Sequence, residues 1–168
     1  MACRGVHFAL TAEQASRLMD TPGADDEFLM AFVEELEEGP NREGWDAEWT
    51  QETDKAWDAI HRCLTDGKLE YGDTPFHMCI LGRDNLYEGD DYIISFLDPH
   101  EVKEVAEAIK DIDRAWLRRK YDAIDTTSYQ GVLSDSDFEY TWSCFPSLRD
   151  FFQKAAAADR AMIFTVDQ

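Results

Sequence analysis

Asp54, Asp58 and His61 are spaced by four and three residues. In a helix they would lie on adjoining faces, one turn apart. An aspartate so placed can orient an imidazole as a general base, or the two can share a divalent metal. Trp57 would wall such a site. The same residues have a plainer use, in which Trp57 packs in the core and Asp58 and His61 hydrogen-bond to a neighbouring loop. A zinc-binding helix wants a second histidine at i+4, and none follows His61.

The other histidines, His7, His77 and His100, are scattered, with no two at ligand spacing. No metal and no cofactor are therefore expected. Carboxylates are numerous enough for a glycosidase pair, but abundance is not placement. No P-loop, GxGxxG, nucleophile elbow or serine-triad order occurs, and Gly131–Asp137 has too little glycine and no lysine to cradle a phosphate. A stretch without a clean period, 122–143, carries Tyr129, Phe138, Tyr140 and Trp142. Long irregular segments in compact domains are often functional. These aromatics could line a groove with Trp57, or anchor the segment to the core.

Charge narrows the partners. The chain has 168 residues, 16 basic and 36 acidic, for a net charge of −20. Such a field repels nucleic-acid backbones and anionic membranes and speeds encounter with basic proteins. The sharpest anomaly is Asp20–Asp54, with thirteen acidic residues and one basic residue, Arg42. Glu34, Glu35, Glu37 and Glu38 crowd the end of a helix whose dipole is negative there. Three things could offset this: the basic cluster Arg114, Arg118, Arg119 and Lys120; a basic partner protein; or solvent and salt.

The elements that must position these residues follow from periodicity and caps. Gly5–Leu10 reads as a strand. Thr11, with Gln14 three residues on, opens a helix to about Met19. Phe28, Leu29, Phe32, Val33 and Leu36 mark a second helix from about Asp25 to Glu38. Residues 41–52 read as an irregular connection. The third helix starts at Thr53 or Asp54 and buries Ala56, Trp57, Ile60, Cys63 and Leu64, with Gly67 as its stop. Phe76–Leu81 and Tyr92–Leu97 are apolar runs that read as buried strands. Asp98-Pro99-His100-Glu101 is a strong helix start, and Asp113 opens another short helix to about Tyr121. Pro146 opens a helix to about Ala158, and Ala161–Val166 closes as a strand.

Several of these segments carry a resemblance. Asp54-Lys55-Ala56-Trp57-Asp58 with His61, Ile80-Leu81-Gly82, Tyr92, Leu97-Asp98-Pro99, Glu101-Val102, Tyr121-Asp122 and Phe151-Phe152-Gln153-Lys154-Ala155-Ala156 occur in an order and spacing that resemble the YfbM-like family. The resemblance covers nearly the whole chain. It implies a compact α+β domain in the bacterial cytosol, and no assigned reaction, so it transfers no catalytic residue.

The expectation is one α+β domain over 1–168, with a small mixed or antiparallel sheet of about four strands and five or six helices. Cys3, Cys63, Cys79 and Cys144 have no CxxC spacing and read as reduced thiols in a cytoplasmic protein. The N-terminus lacks a long apolar segment of the secretory type. No apolar run is long enough to span a bilayer. The favoured function is non-catalytic binding of a basic protein partner through an acidic surface, of which an immunity- or inhibitor-like role is one form. The alternative is an enzyme of unknown reaction with Asp58 and His61 in a pocket near Trp57, Tyr129, Tyr140 and Trp142. Oligomeric state is open.

Overall fold

The computed structural model describes residues 3–167. Its centre is an antiparallel sheet in which β1 (Gly5–Ala9) and β4 (Met162–Asp167) are the inner strands, and β2 (Thr50–Asp54) and β3 (Tyr92–Leu97) the outer ones. Every residue of β1 is buried, so both sheet faces are covered. On one face α1 (Ala12–Met19) and α2 (Asp26–Glu38) pack against Val6, Phe8, Ile94 and Ile163. The opposite face carries Ala9, Ile93, Leu97, Met162 and Phe164. It is covered by α3 (Ala56–Leu64), α5 (Pro99–Ile109) and α7 (Asp135–Ala157), with α6 (Arg114–Tyr121) and the short α4 (Pro75–Met78) behind them. The strict alternation along β4 follows from the two-residue side-chain period of a strand. The result is an α+β domain with a four-stranded antiparallel sheet, as the sequence implies.

The caps behave as their residues dictate. Thr11 with Gln14 and Asp98 with Glu101 form complete capping boxes. Asp25 and Asp113 each accept one first-turn amide.

Three segments differ from expectation. Phe76–Leu81 is not a strand: Thr74 caps, Pro75 takes the first helical position, and a single turn, α4, leads into Cys79, Ile80 and Leu81. The run is apolar because it is buried, and burial alone does not distinguish strand from helix. Residues 50–54 are an edge strand, where 41–52 reads as a connection and Thr53 or Asp54 as a helix start; α3 starts at Ala56, which leaves Asp54 off the helix that carries Asp58 and His61. Much of the irregular stretch 122–143 is helix, because α7 begins at Asp135 and runs through Pro146. Phe138, Thr141, Phe145, Leu148, Phe152 and Ala155 are all buried along it. They repeat every three or four residues, and the stripe continues across the proline. With these changes seven helices form among the described residues.

Candidate functional site

The start of α3, the 125–134 segment and the first half of α7 enclose an open cleft of about 640 Å³. Trp57, Asp58, Tyr129 and Tyr140 line it, joined by Lys55, Leu69, Gly131 and Asp137. Four of the residues singled out from sequence therefore meet in one place. His61 and Trp142 are not among its lining. Trp142 is half-buried and stacks on Phe145, with ring centroids 6.1 Å apart.

Each carboxylate at the cleft is held by a specific donor. Asp58 turns to Arg62, one helical turn on, whose Nε donates to Oδ1 at 2.5 Å. The Arg62 side chain is only 2% exposed. Its other nitrogens donate to Ser128 Oγ at 2.8 Å and to the Ser128 carbonyl at 3.1 Å. One buried guanidinium thus ties α3 to the 125–134 segment. Asp137 Oδ2 accepts from two phenols, Tyr121 at 2.5 Å and Tyr129 at 2.8 Å. Burial first, then Asp137, pushes both phenols above the ordinary tyrosine range. Tyr140 donates to Asp54 Oδ2 at 2.6 Å. Burial and then this carboxylate push it up to about 12. All three tyrosines are thus neutral donors at physiological pH. Asp54 itself has φ 44°, in the left-handed region. It is held there at the end of β2, where the β1–β2 register shifts.

His61 faces elsewhere. It has no exposed surface, and its Nε2 donates to the Glu70 carbonyl at 2.8 Å. Burial lowers it to about 4, so the ring is neutral. It is neither oriented by Asp58 nor open to the cleft. Trp57 is nearly buried, and its Nε1 donates to the Cys3 carbonyl at 3.0 Å. Besides carboxylates and aromatic faces, the described lining of the cleft carries the Lys55 amine and the Cys3 thiol. Among the described residues no group of three His, Cys, Asp or Glu side chains could hold a metal ion.

The acidic end of α2 is partly offset from within. Arg17 donates to both oxygens of Glu35, at 2.8 and 3.0 Å, and holds that carboxyl below the usual range. Arg42 lies 3.7 Å from Glu38. Glu34 and Glu37 are exposed. The 114–120 cluster serves another end: Arg114 pairs with Glu139, and Arg118 with Asp122 and Asp135, sealing α6 to α7.

Sequence reasoning missed Arg62, Asp137 and Tyr121. Two had a signal. Asp58 and Arg62 are a favourable i,i+4 pair. Ser134 with Asp137 is a capping sequence, and Ser134 does accept the Asp137 amide. Tyr121 comes from the end of another helix and gave none.

The sequence model of a family described as a domain of unknown function, DUF1877, matches residues 1–165. A solved structure of a protein of unknown function, YfbM from Escherichia coli, is similar over 99% of each chain, with a TM-score of 0.67 and 14% identity. At that identity the likeness is one of fold. No curated protein matches the chain.

Proposed function

Because the chain belongs to the DUF1877 family, whose description names no activity, we propose a function from its own residues: non-catalytic binding of a basic protein through the α3–α7 cleft. The observation that carries this reading is the pairing of anchored carboxylates with aromatic faces in one open cleft. Asp58 and Asp137 each keep one oxygen free of hydrogen bonds to protein groups among the described residues, while Trp57, Tyr129 and Tyr140 stand beside them. A lysine or arginine side chain suits both surfaces, through charge and through the ring faces. Exposed apolar groups lie on the segments around it: Tyr71 two residues beyond Leu69, Val132 beside Gly131, and Tyr140 on the lining itself. Apolar contacts around a charged anchor are common at protein interfaces. Glu34 and Glu37, with the net charge of −20, extend the attracting field and speed encounter. Four free thiols fit a reducing compartment, and the proposed setting is the bacterial cytoplasm. Among the described residues no helix is long and apolar enough to cross a membrane.

The test is affinity capture from host lysate at low and at high salt, with wild type and an Asp58→Asn/Asp137→Asn variant. A stoichiometric basic protein should be recovered at low salt and lost at high salt. The variant should bind it about tenfold more weakly or worse. Equal recovery by wild type and variant would sink the cleft as the contact.

A further inference from the structure

Leu69, on the wall of the cleft, belongs to the 66–74 loop between α3 and α4. The loop has little core of its own: Lys68, Glu70, Tyr71, Asp73 and Thr74 are exposed, and Leu69 is half-buried. Segments of this kind open at a small fraction of the global unfolding cost. Two imidazoles pin it. His61 donates Nε2–H to the Glu70 carbonyl, which leaves Nδ1 as a lone pair, fully buried and without a partner. The His77 ring lies edge-on to His61, with centroids 6.0 Å apart. His77 is clamped by Thr74, whose Oγ1 sits 2.6 Å from its Nδ1. It also presses on Gly72, where an added Cβ would lie 2.6 Å from the ring.

No charged neighbour favours a proton on His61; the Glu70 carbonyl does, but burial outweighs it. From α4 it faces His77. On its own helix it faces Arg62, which is already occupied by Asp58. From the loop comes Glu70, whose carboxylate lies 3.9 Å from Lys68. From α6 and α7, Lys120, Asp122 and Asp137 act on Cys63, two residues along α3. Water reached by opening the loop is the remaining source of solvation for a charged ring. We propose that the 66–74 loop is a pH-operated wall of the cleft, held shut by neutral His61 and released when His61 is protonated. The consequence for partner binding, a weakening in acid, rests on the cleft reading above; the loop motion does not.

The size of the effect follows from linkage. Closed, His61 is held at about 4; open, it returns to about 6.5. The opening constant therefore rises by about thirtyfold between about pH 7.5 and about pH 5. The reporter is the Gly72 amide, which donates to the Gly82 carbonyl at 3.1 Å. Its hydrogen exchange is followed by NMR on the partner-free protein, corrected for intrinsic rate, in wild type and in His61→Gln. Wild type should lose about thirtyfold protection at Gly72, and His61→Gln, which keeps a donor for Glu70, should be flat there. An unchanged wild type, or an equal loss in the variant, would overturn the proposal. Should the variant fail to fold, the wild-type imidazole titration decides. A His61 midpoint below about 5, with Gly72 protection already falling from about pH 6.5, supports the gate. A midpoint near about 6.5 with protection intact overturns it. Because no partner is present, a failure of the cleft reading shows separately, as binding unaffected by Asp58→Asn/Asp137→Asn.

Discussion

Arg62 decides what Asp58 can do. A carboxylate one turn before a nearly buried guanidinium is a fixed counter-ion, not a base awaiting an imidazole. Breaking such a pair from one side leaves an uncompensated charge, which costs more than the pair contributes. Arg62→Leu should therefore lower stability by about 3 kcal/mol in urea unfolding. Arg62→Lys should recover only part of this, since an ammonium cannot serve Asp58 and Ser128 with one planar fork. Adding Asp58→Leu to Arg62→Leu should restore most of the loss, because the stranded carboxylate is gone. A double variant no more stable than the single one would show that the pair is not the source of the cost.

Among the elements, the contact between β1 and α3 sets the back of the cleft. Gly5 stands where β1 passes under Trp57, and an added Cβ would lie 2.8 Å from the Trp57 Cβ and 2.9 Å from its ring. Trp57 is itself held by the Cys3 carbonyl, two residues before Gly5. Gly5→Ala should therefore cost about 1–3 kcal/mol as an overpacked contact. It should also shift the Trp57 indole Nε1–H resonance as the ring is pushed from its acceptor. An unshifted resonance with unchanged stability would mean that the strand yields instead of the ring. On the far side, α7 brings Asp137, Tyr140 and Thr141 to the cleft and Phe145, Leu148 and Phe152 to the core. A single long helix thus couples the lining of the cleft to the packing behind the sheet.

At the scale of the whole molecule the acid response has two opposing parts. Toward low pH the net charge of −20 is neutralised and self-repulsion falls. Two buried histidines, His61 and His7, work the other way, and His7 is the one within the sheet. It is buried in β1, with its Nε2 2.9 Å from the Cys79 carbonyl and Nδ1 without a partner, and burial lowers it to about 4. A histidine whose folded value lies below its unfolded value contributes stability that is fully present above about pH 6.5 and lost as pH falls to about 4. The loss for His7 is about 3 kcal/mol over that window. The difference in unfolding free energy between wild type and His7→Gln should shift by that amount from about pH 7 to about pH 4. A pH-independent difference would show that the fold leaves His7 at its unfolded value.

Where caps and periods are local, the sequence by itself determined the outcome: the boxes at Thr11 and Asp98, the buried stripe of α2, strands β1, β3 and β4, and the placement of Trp57 and Asp58 on α3. These depend on residues within a few positions of one another, so the chain carries their whole instruction. From Phe138 to Ala155 the sequence reads as two pieces, a stretch without a clean period to 143 and a helix opened by Pro146, where the structure has one helix. The missing N–H of Pro146 is tolerated inside α7 because the surrounding packing holds the helix. Tertiary structure alone decided that Asp137 would receive Tyr121 and Tyr129, that Arg62 would reach Ser128, and that His61 would turn to Glu70. Each of these bonds joins segments of different elements. Side-chain direction is set by what packs against a helix, and no spacing within the chain encodes which neighbour arrives.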